Sequence, residues 1–179
     1  MKATGIVRRI DDLGRVVIPK EIRRTMRIRE GDPLEIYTSR EGEVIFKKYS
    51  LIGGLEDFAA QFCDTLNRST NFTAAVTDRD SIIAIAGNGK RELLGKPISS
   101  QLEEIMEQRG IYRYAGEGHT VPVSDSSDKY TAAVAAPILC EGDVLGLVVF
   151  LSAQGQAGGE TEYKLAQTVA AFLGRHMEG

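Results

Sequence analysis

Two short runs near the start of the chain, Ile6-Val7 and Val16-Val17-Ile18, are apolar at consecutive positions. Side chains of a strand alternate between its faces, so a strand that is apolar at every position needs cover on both. A unit of about fifty residues buries too little of its own surface to supply two such covers. The pattern therefore asks for a second copy of the segment, an interleaved homodimer in which each chain covers the other's strands.

The residues around these runs predict a consistent set of elements. Strands over 5–10 and 15–18 are joined by Asp11-Asp12-Leu13-Gly14, where Gly14 can take the positive φ that a hairpin connection often requires. Pro19 pre-sets the first turn of a helix over 20–27, with Ile22 and Met26 on one face and Gly31-Asp32-Pro33 as the stop. A second hairpin pairs 34–38 with 43–48 through Ser39-Arg40-Glu41-Gly42.

Charge separates this segment from the rest. The chain carries a net charge of −3, yet residues 1–50 hold 12 Lys/Arg against 8 Asp/Glu, a net of +4, and the remainder is at −7. Lys20, Arg24 and Arg27 recur at i, i+4 and i+7 opposite Ile22, with Arg23 at the border, so the predicted helix has one basic and one apolar face. Arginine stays charged and binds phosphates and guanine edges in a bidentate manner, which makes the basic half the candidate DNA side. On composition alone an ordinary solvated helix face fits about as well.

Residues 51–54 contain two glycines and read as a linker to a second domain over 55–179. There Leu55, Phe58, Ala59, Phe62, Cys63 and Leu66 form the stripe of an amphipathic helix. Strands over 72–77 and 81–86 follow, then a helix capped by Ser100 with Glu103 and ended by Gly110, and a short strand over 111–114. Residues 115–129, rich in Gly, Ser and Asp, read as a loop over a pocket. A long hairpin pairs 130–139 with 144–152, and a last helix spans 161–176.

Several functions lack their residues. No run approaches the ~18 apolar residues of a membrane span and no apolar leader opens the chain, which gives a cytoplasmic expectation with no membrane partner. Cys63 and Cys140 are far apart and show no zinc spacing, and Cys63 falls on the apolar stripe as a small hydrophobe would. His119, His176, Asp125 and Asp128 complete no catalytic or metal set. A thiol enzyme would need an exposed reactive cysteine and a resolving partner, so no enzyme is expected.

The run Met1 to Arg8, then Asp12-Leu13-Gly14-Arg15-Val16-Val17-Ile18-Pro19, Glu21 to Thr25 and Leu34-Glu35-Ile36-Tyr37 resembles the AbrB family of transition-state regulators of spore-forming bacteria. The resemblance implies a swapped-hairpin β-barrel formed by two chains and a double-stranded DNA partner. It places DNA contacts at Arg8, Arg15, Arg23 and Arg24, with Lys2 and Arg9 in addition. The remainder is similar to a GAF domain in Ala136-Pro137-Ile138 through Gly142, Val144-Leu145-Gly146 and Leu147 to Phe150. This implies an antiparallel sheet flanked by helices, serving ligand sensing or oligomerisation. No residue singles out a ligand, so no cofactor is implied beyond an unidentified small molecule.

The whole is thus read as an α+β chain, with domain 1–50 binding DNA and domain 55–179 regulating or assembling it. In this order the modules resemble regulators of sporulation genes, activators or repressors, which implies the nucleoid of a developing spore. Packing of the helices near 55–68 and 161–176 across a symmetry axis would join two dimers into a homotetramer. The alternative is an antitoxin that binds promoters and neutralises a protein partner.

Overall fold

The computed structural model describes residues 4–50, 52 and 54–177, so Lys2 and, in the expected linker, Leu51 and Gly53 lie outside the described residues. The chain divides into two compact units, Met1–Tyr49 and Ser50–Gly179.

In the first unit the expected turn is present but its strands are not. Asp11 N–H donates to the Arg15 carbonyl at 3.1 Å and Gly14 N–H to the Asp11 carbonyl at 3.0 Å, with Gly14 at φ +74°. On either side the chain forms no regular secondary structure, contrary to the strands expected over 5–10 and 15–18. The amides of residues 7–10 and 16–18 have no backbone partner among the described residues, and Val7 is 88% exposed. A single copy offers these runs neither a second strand nor cover.

Helix α1 (Lys20–Thr25) is shorter than the expected 20–27. Its stop lies upstream of Gly31, at Arg27, whose φ of +51° is left-handed. That conformation turns Ile28 N–H onto the Arg23 carbonyl (2.7 Å) and Arg27 N–H onto that of Arg24 (3.3 Å), a Schellman closure that satisfies carbonyls the helix end would orphan. Met26, expected on one face with Ile22, is exposed. Strands β1 (Leu34–Thr38) and β2 (Val44–Lys48) form the second hairpin in register Ile36 to Phe46. Among the described residues of this unit Pro19 alone is buried. The unit has no core of its own.

The second unit is a six-stranded antiparallel sheet covered on both faces. Its strands are β3 (Thr73–Thr77), β4 (Ile82–Ala86), β5 (Tyr112–Arg113), β6 (Pro122–Ser124), β7 (Ser127–Cys140) and β8 (Asp143–Ser152), in the order β4-β3-β8-β7-β5 with β6 also on β7. One face packs against α2 (Glu56–Ser69) and α5 (Glu160–Met177) through Ala59, Cys63, Leu66, Val148, Phe150, Val169 and Leu173. The other packs against α4 (Ser100–Glu107), after the one-turn α3 (Lys90–Leu93), through Leu102, Met106, Leu147 and Val149. Burial on both faces is why β7 and β8 read as unbroken apolar runs rather than alternating ones.

Three local expectations are corrected here. The cap of α4 is Ser99 rather than Ser100: its Oγ accepts from Leu102 N–H at 3.0 Å and donates to the Pro122 carbonyl at 2.6 Å. The same helix ends through Arg109, at φ +59°, and not through Gly110. Residues 115–129 are not one polar loop, because β6 and the start of β7 lie within them and Val121, Val123 and Ser124 are buried. An open cleft of about 350 Å³ lies where α2 ends, lined in part by Asn67, Asn71, Thr73, Asn88, Gln154 and Gln156.

Candidate nucleic-acid interface

The predicted contact residues occupy two places in the first unit. Arg8 and Arg9 lie in the exposed segment before the turn, and Arg15 closes that turn. Arg23 and Arg24 sit in the last turn of α1, Arg24 exposed and Arg23 half-buried. Lys2 lies outside the described residues. Arg23 and Arg24 are held by a helix that Pro19 starts and the left-handed Arg27 ends, so their backbone is fixed at both ends.

Charge pairing separates Arg15 from the other predicted contact residues. Among the described residues no carboxylate forms an ion pair with Arg8, Arg9, Arg23 or Arg24. By contrast Asp32 and Lys48 pair at 3.8 Å, and Lys48 Nζ also donates to the Arg27 carbonyl at 2.7 Å. Four guanidiniums thus remain open to an anion, and such groups on exposed backbone suit phosphate neutralisation.

Arg15 is the exception, and its partner was not among the predicted site residues. Asp11 Oδ1 accepts from Leu13 N–H at 3.0 Å and Arg15 N–H at 2.7 Å, and Oδ2 accepts from Arg15 Nε at 2.8 Å. The Arg15 backbone N–H, and then its guanidinium, hold the Asp11 carboxyl below the usual carboxylate range. The signal available in the sequence was an aspartate four residues before an arginine across a glycine turn, a side chain suited to capping its own loop.

Among the described residues of the second unit no His/Cys/Asp/Glu group is arranged to hold a metal. Its distinctive surface is aromatic. Between α2 and α5, Phe58 and Phe62 meet at 5.1 Å edge to face, and Phe172 lies 5.9 and 5.4 Å from them. His176 stacks 5.3 Å from Phe58. Phe172 remains 46% exposed. Cys63 lies beneath this layer, its thiol pushed up to about 12 by burial, which removes the thiolate that nucleophilic chemistry at neutral pH requires. No helix among the described residues is long and apolar enough to cross a membrane.

Comparison with known proteins agrees with this division. Residues 54–178 match the family "Stage V sporulation protein T C-terminal, transcription factor", and residues 7–51 match "Antidote-toxin recognition MazE, bacterial antitoxin". The chain is 50% identical over 178 residues to Stage V sporulation protein T of Bacillus subtilis, covering 99% of each. Over 49 residues, 27% of this chain and 50% of the other, it is 63% identical to the Transition state regulatory protein AbrB of the same organism. It also resembles the GAF domain of a phosphoenolpyruvate-protein phosphotransferase from Coxiella burnetii, with a TM-score of 0.53 and 15% identity over 68% of this chain and 80% of that one, a likeness of fold alone.

Proposed function

The chain belongs to the stage V sporulation protein T family of transcription factors, and on that premise we propose that it regulates sporulation genes by binding duplex DNA through a dimer of its first unit. The observation that carries this reading is the pairing of two facts about that unit. It has one buried residue among those described, and the guanidiniums of Arg8, Arg9, Arg23 and Arg24 have no carboxylate partner among the described residues. Exposed apolar side chains such as Val7, Ile10, Val17, Ile36 and Phe46 form more apolar surface than a solitary soluble unit keeps. A second copy that interleaves with them would complete a barrel and double the cationic groups on one surface.

In this reading residues 1–50 are the DNA-binding domain, 51–54 the linker and 55–179 the GAF-like domain. Arg8, Arg9, Arg15, Arg23 and Arg24, with Lys2, contact DNA. The α2–α5 aromatic layer, with Phe172 half-exposed at its surface, joins two dimers into a tetramer. Two DNA-binding heads on one particle raise apparent affinity when both reach one duplex. The site of action is the bacterial nucleoid of the developing spore, and the protein works as a regulator and not as an enzyme.

The antitoxin reading rests on the family match of residues 7–51. The packed two-faced sheet that follows, in place of a short unfolded toxin-binding tail, favours the regulator.

The test is a gel-shift titration of the full chain carrying Arg23→Ala and Arg24→Ala. Each substitution is expected to weaken binding by about 1 kcal/mol or more and to flatten the dependence of log affinity on log salt. Unaltered affinity and slope, with the assembly intact, would refute the assignment.

A further inference from the structure

We propose that Asp11 is a specificity-positioning residue: its carboxylate fixes the Arg15 guanidinium so that the Nη1–Nη2 edge is presented to a base rather than left to wander among phosphates. The inference rests on the reading of Arg15 as a DNA contact and adds a residue which that reading does not contain.

Three features of the turn carry it. First, the carboxylate is itself immobilised, since Oδ1 accepts two backbone N–H groups, from Leu13 and Arg15, at 3.0 and 2.7 Å. An exposed i, i+4 ion pair between two free side chains holds neither partner in place. Here one partner is tied to the backbone. Second, Oδ2 takes Nε of Arg15 at 2.8 Å and leaves both terminal nitrogens without a hydrogen bond among the described residues. A guanidinium held by Nε keeps the fork that matches guanine O6 and N7. Third, the Arg15 side chain is 70% exposed while that of Asp11 is 37% exposed, so the arginine, not the acid, is the outermost group of the pair.

The chemistry has a distinctive consequence. An aspartate on a DNA-facing turn repels phosphate, so it works against non-specific affinity. Capping the turn needs only the Oδ1 acceptor, which an uncharged asparagine also supplies, so the charge itself is of use in orienting Arg15. Arg8, Arg9, Arg23 and Arg24 lack such a buttress and suit backbone contacts, whereas Arg15 is prepared for a base edge.

The experiment compares full-length wild-type protein with Asp11→Asn, Arg15→Ala and the double variant. Asparagine preserves the Oδ1 acceptor for the turn and removes the charge that orders Nε. Two duplexes of equal length are used, one enriched by the wild-type protein from a random pool and one of unselected sequence, with circular dichroism confirming the fold of each variant. Asp11→Asn should lower the ratio of selected to unselected affinity by about threefold to tenfold without weakening the unselected complex. In the Arg15→Ala background it should cause no further loss. Equal losses on both duplexes, or losses that add in the double variant, overturn the positioning role and assign Asp11 to the fold alone. If Arg15→Ala itself leaves both affinities unchanged, the reading of Arg15 as a contact fails first, a result distinguishable from the others.

Discussion

Cys63 shows how a single residue's surroundings decide its chemistry. It lies fully buried on the inner face of α2, and burial lifts its thiol from an ordinary value of 9.0 to about 12, against smaller lowering effects from the Val76 backbone and Lys90. The unfolded chain therefore releases this proton near pH 9 while the folded chain keeps it until about pH 12. Its contribution to stability is complete below pH 9 and declines as pH rises toward 12. Denaturant titrations between pH 8 and pH 11 should show stability falling, by at most about 1.4 kcal/mol per pH unit from this group. Cys63→Ala should flatten that slope even though it lowers stability throughout; an identical slope in the variant contradicts the assignment. What the sequence revealed at this scale follows the same division between pattern and surroundings. Arginine positions were visible through charge, spacing and resemblance, and Cys63 through its place on the apolar stripe. Asp11 was not, because its role depends on a carboxylate folding back across Gly14 to reach Arg15. Nor was Arg27, since propensity alone assigns a left-handed helix stop to the nearby glycine.

Among the elements, α5 poses a contest between propensity and packing. Gly174 lies within this helix, where replacement by alanine would ordinarily add up to about 1 kcal/mol of stability. A Cβ at this position, however, would overlap the backbone carbonyl oxygen of Leu139 on β7. A backbone group in a central strand cannot yield as a flexible side chain would, and overpacking of this kind costs about 1–3 kcal/mol or more. Sterics should win: Gly174→Ala is expected to lower the thermal midpoint of the second unit, measured by calorimetry, and a raised midpoint would show that α5 lifts without cost. Long elements were legible because their patterns are long. The stripe of α2, the runs of β7 and β8 and the apolar positions of α5 all span enough residues for period to be unambiguous. Shorter ones were not. Ser100 with Glu103 satisfies the capping template, but Ser99 is the cap because its hydroxyl also reaches Pro122 on β6, a neighbour no local pattern contains. Likewise β6 was hidden in a Gly- and Ser-rich stretch, since the strand is three residues long and composition outweighs so short a run.

For the whole molecule, the two units differ in kind. The second owns its core: α2, α5 and α4 close both faces of one sheet, and the order of its strands brings β7 and β8 to the centre. The first displays a turn, a capped helix and a hairpin, with Pro19 as its one buried residue among those described. The sequence already implied this asymmetry, because double-sided apolarity in Ile6-Val7 and Val16-Val17-Ile18 has no partner within so short a segment. The central claim is that a second copy supplies that partner and that the paired surface binds DNA. Hydrogen exchange on the full-length protein at micromolar concentration tests it most directly, since the amides of residues 7–10 and 16–18 have no backbone partner among the described residues of a single chain. Interleaved strands predict slow exchange at these amides, lost on dilution below the dissociation range. Exchange at the rate of an unstructured peptide, in protein that still binds its DNA, would contradict the account.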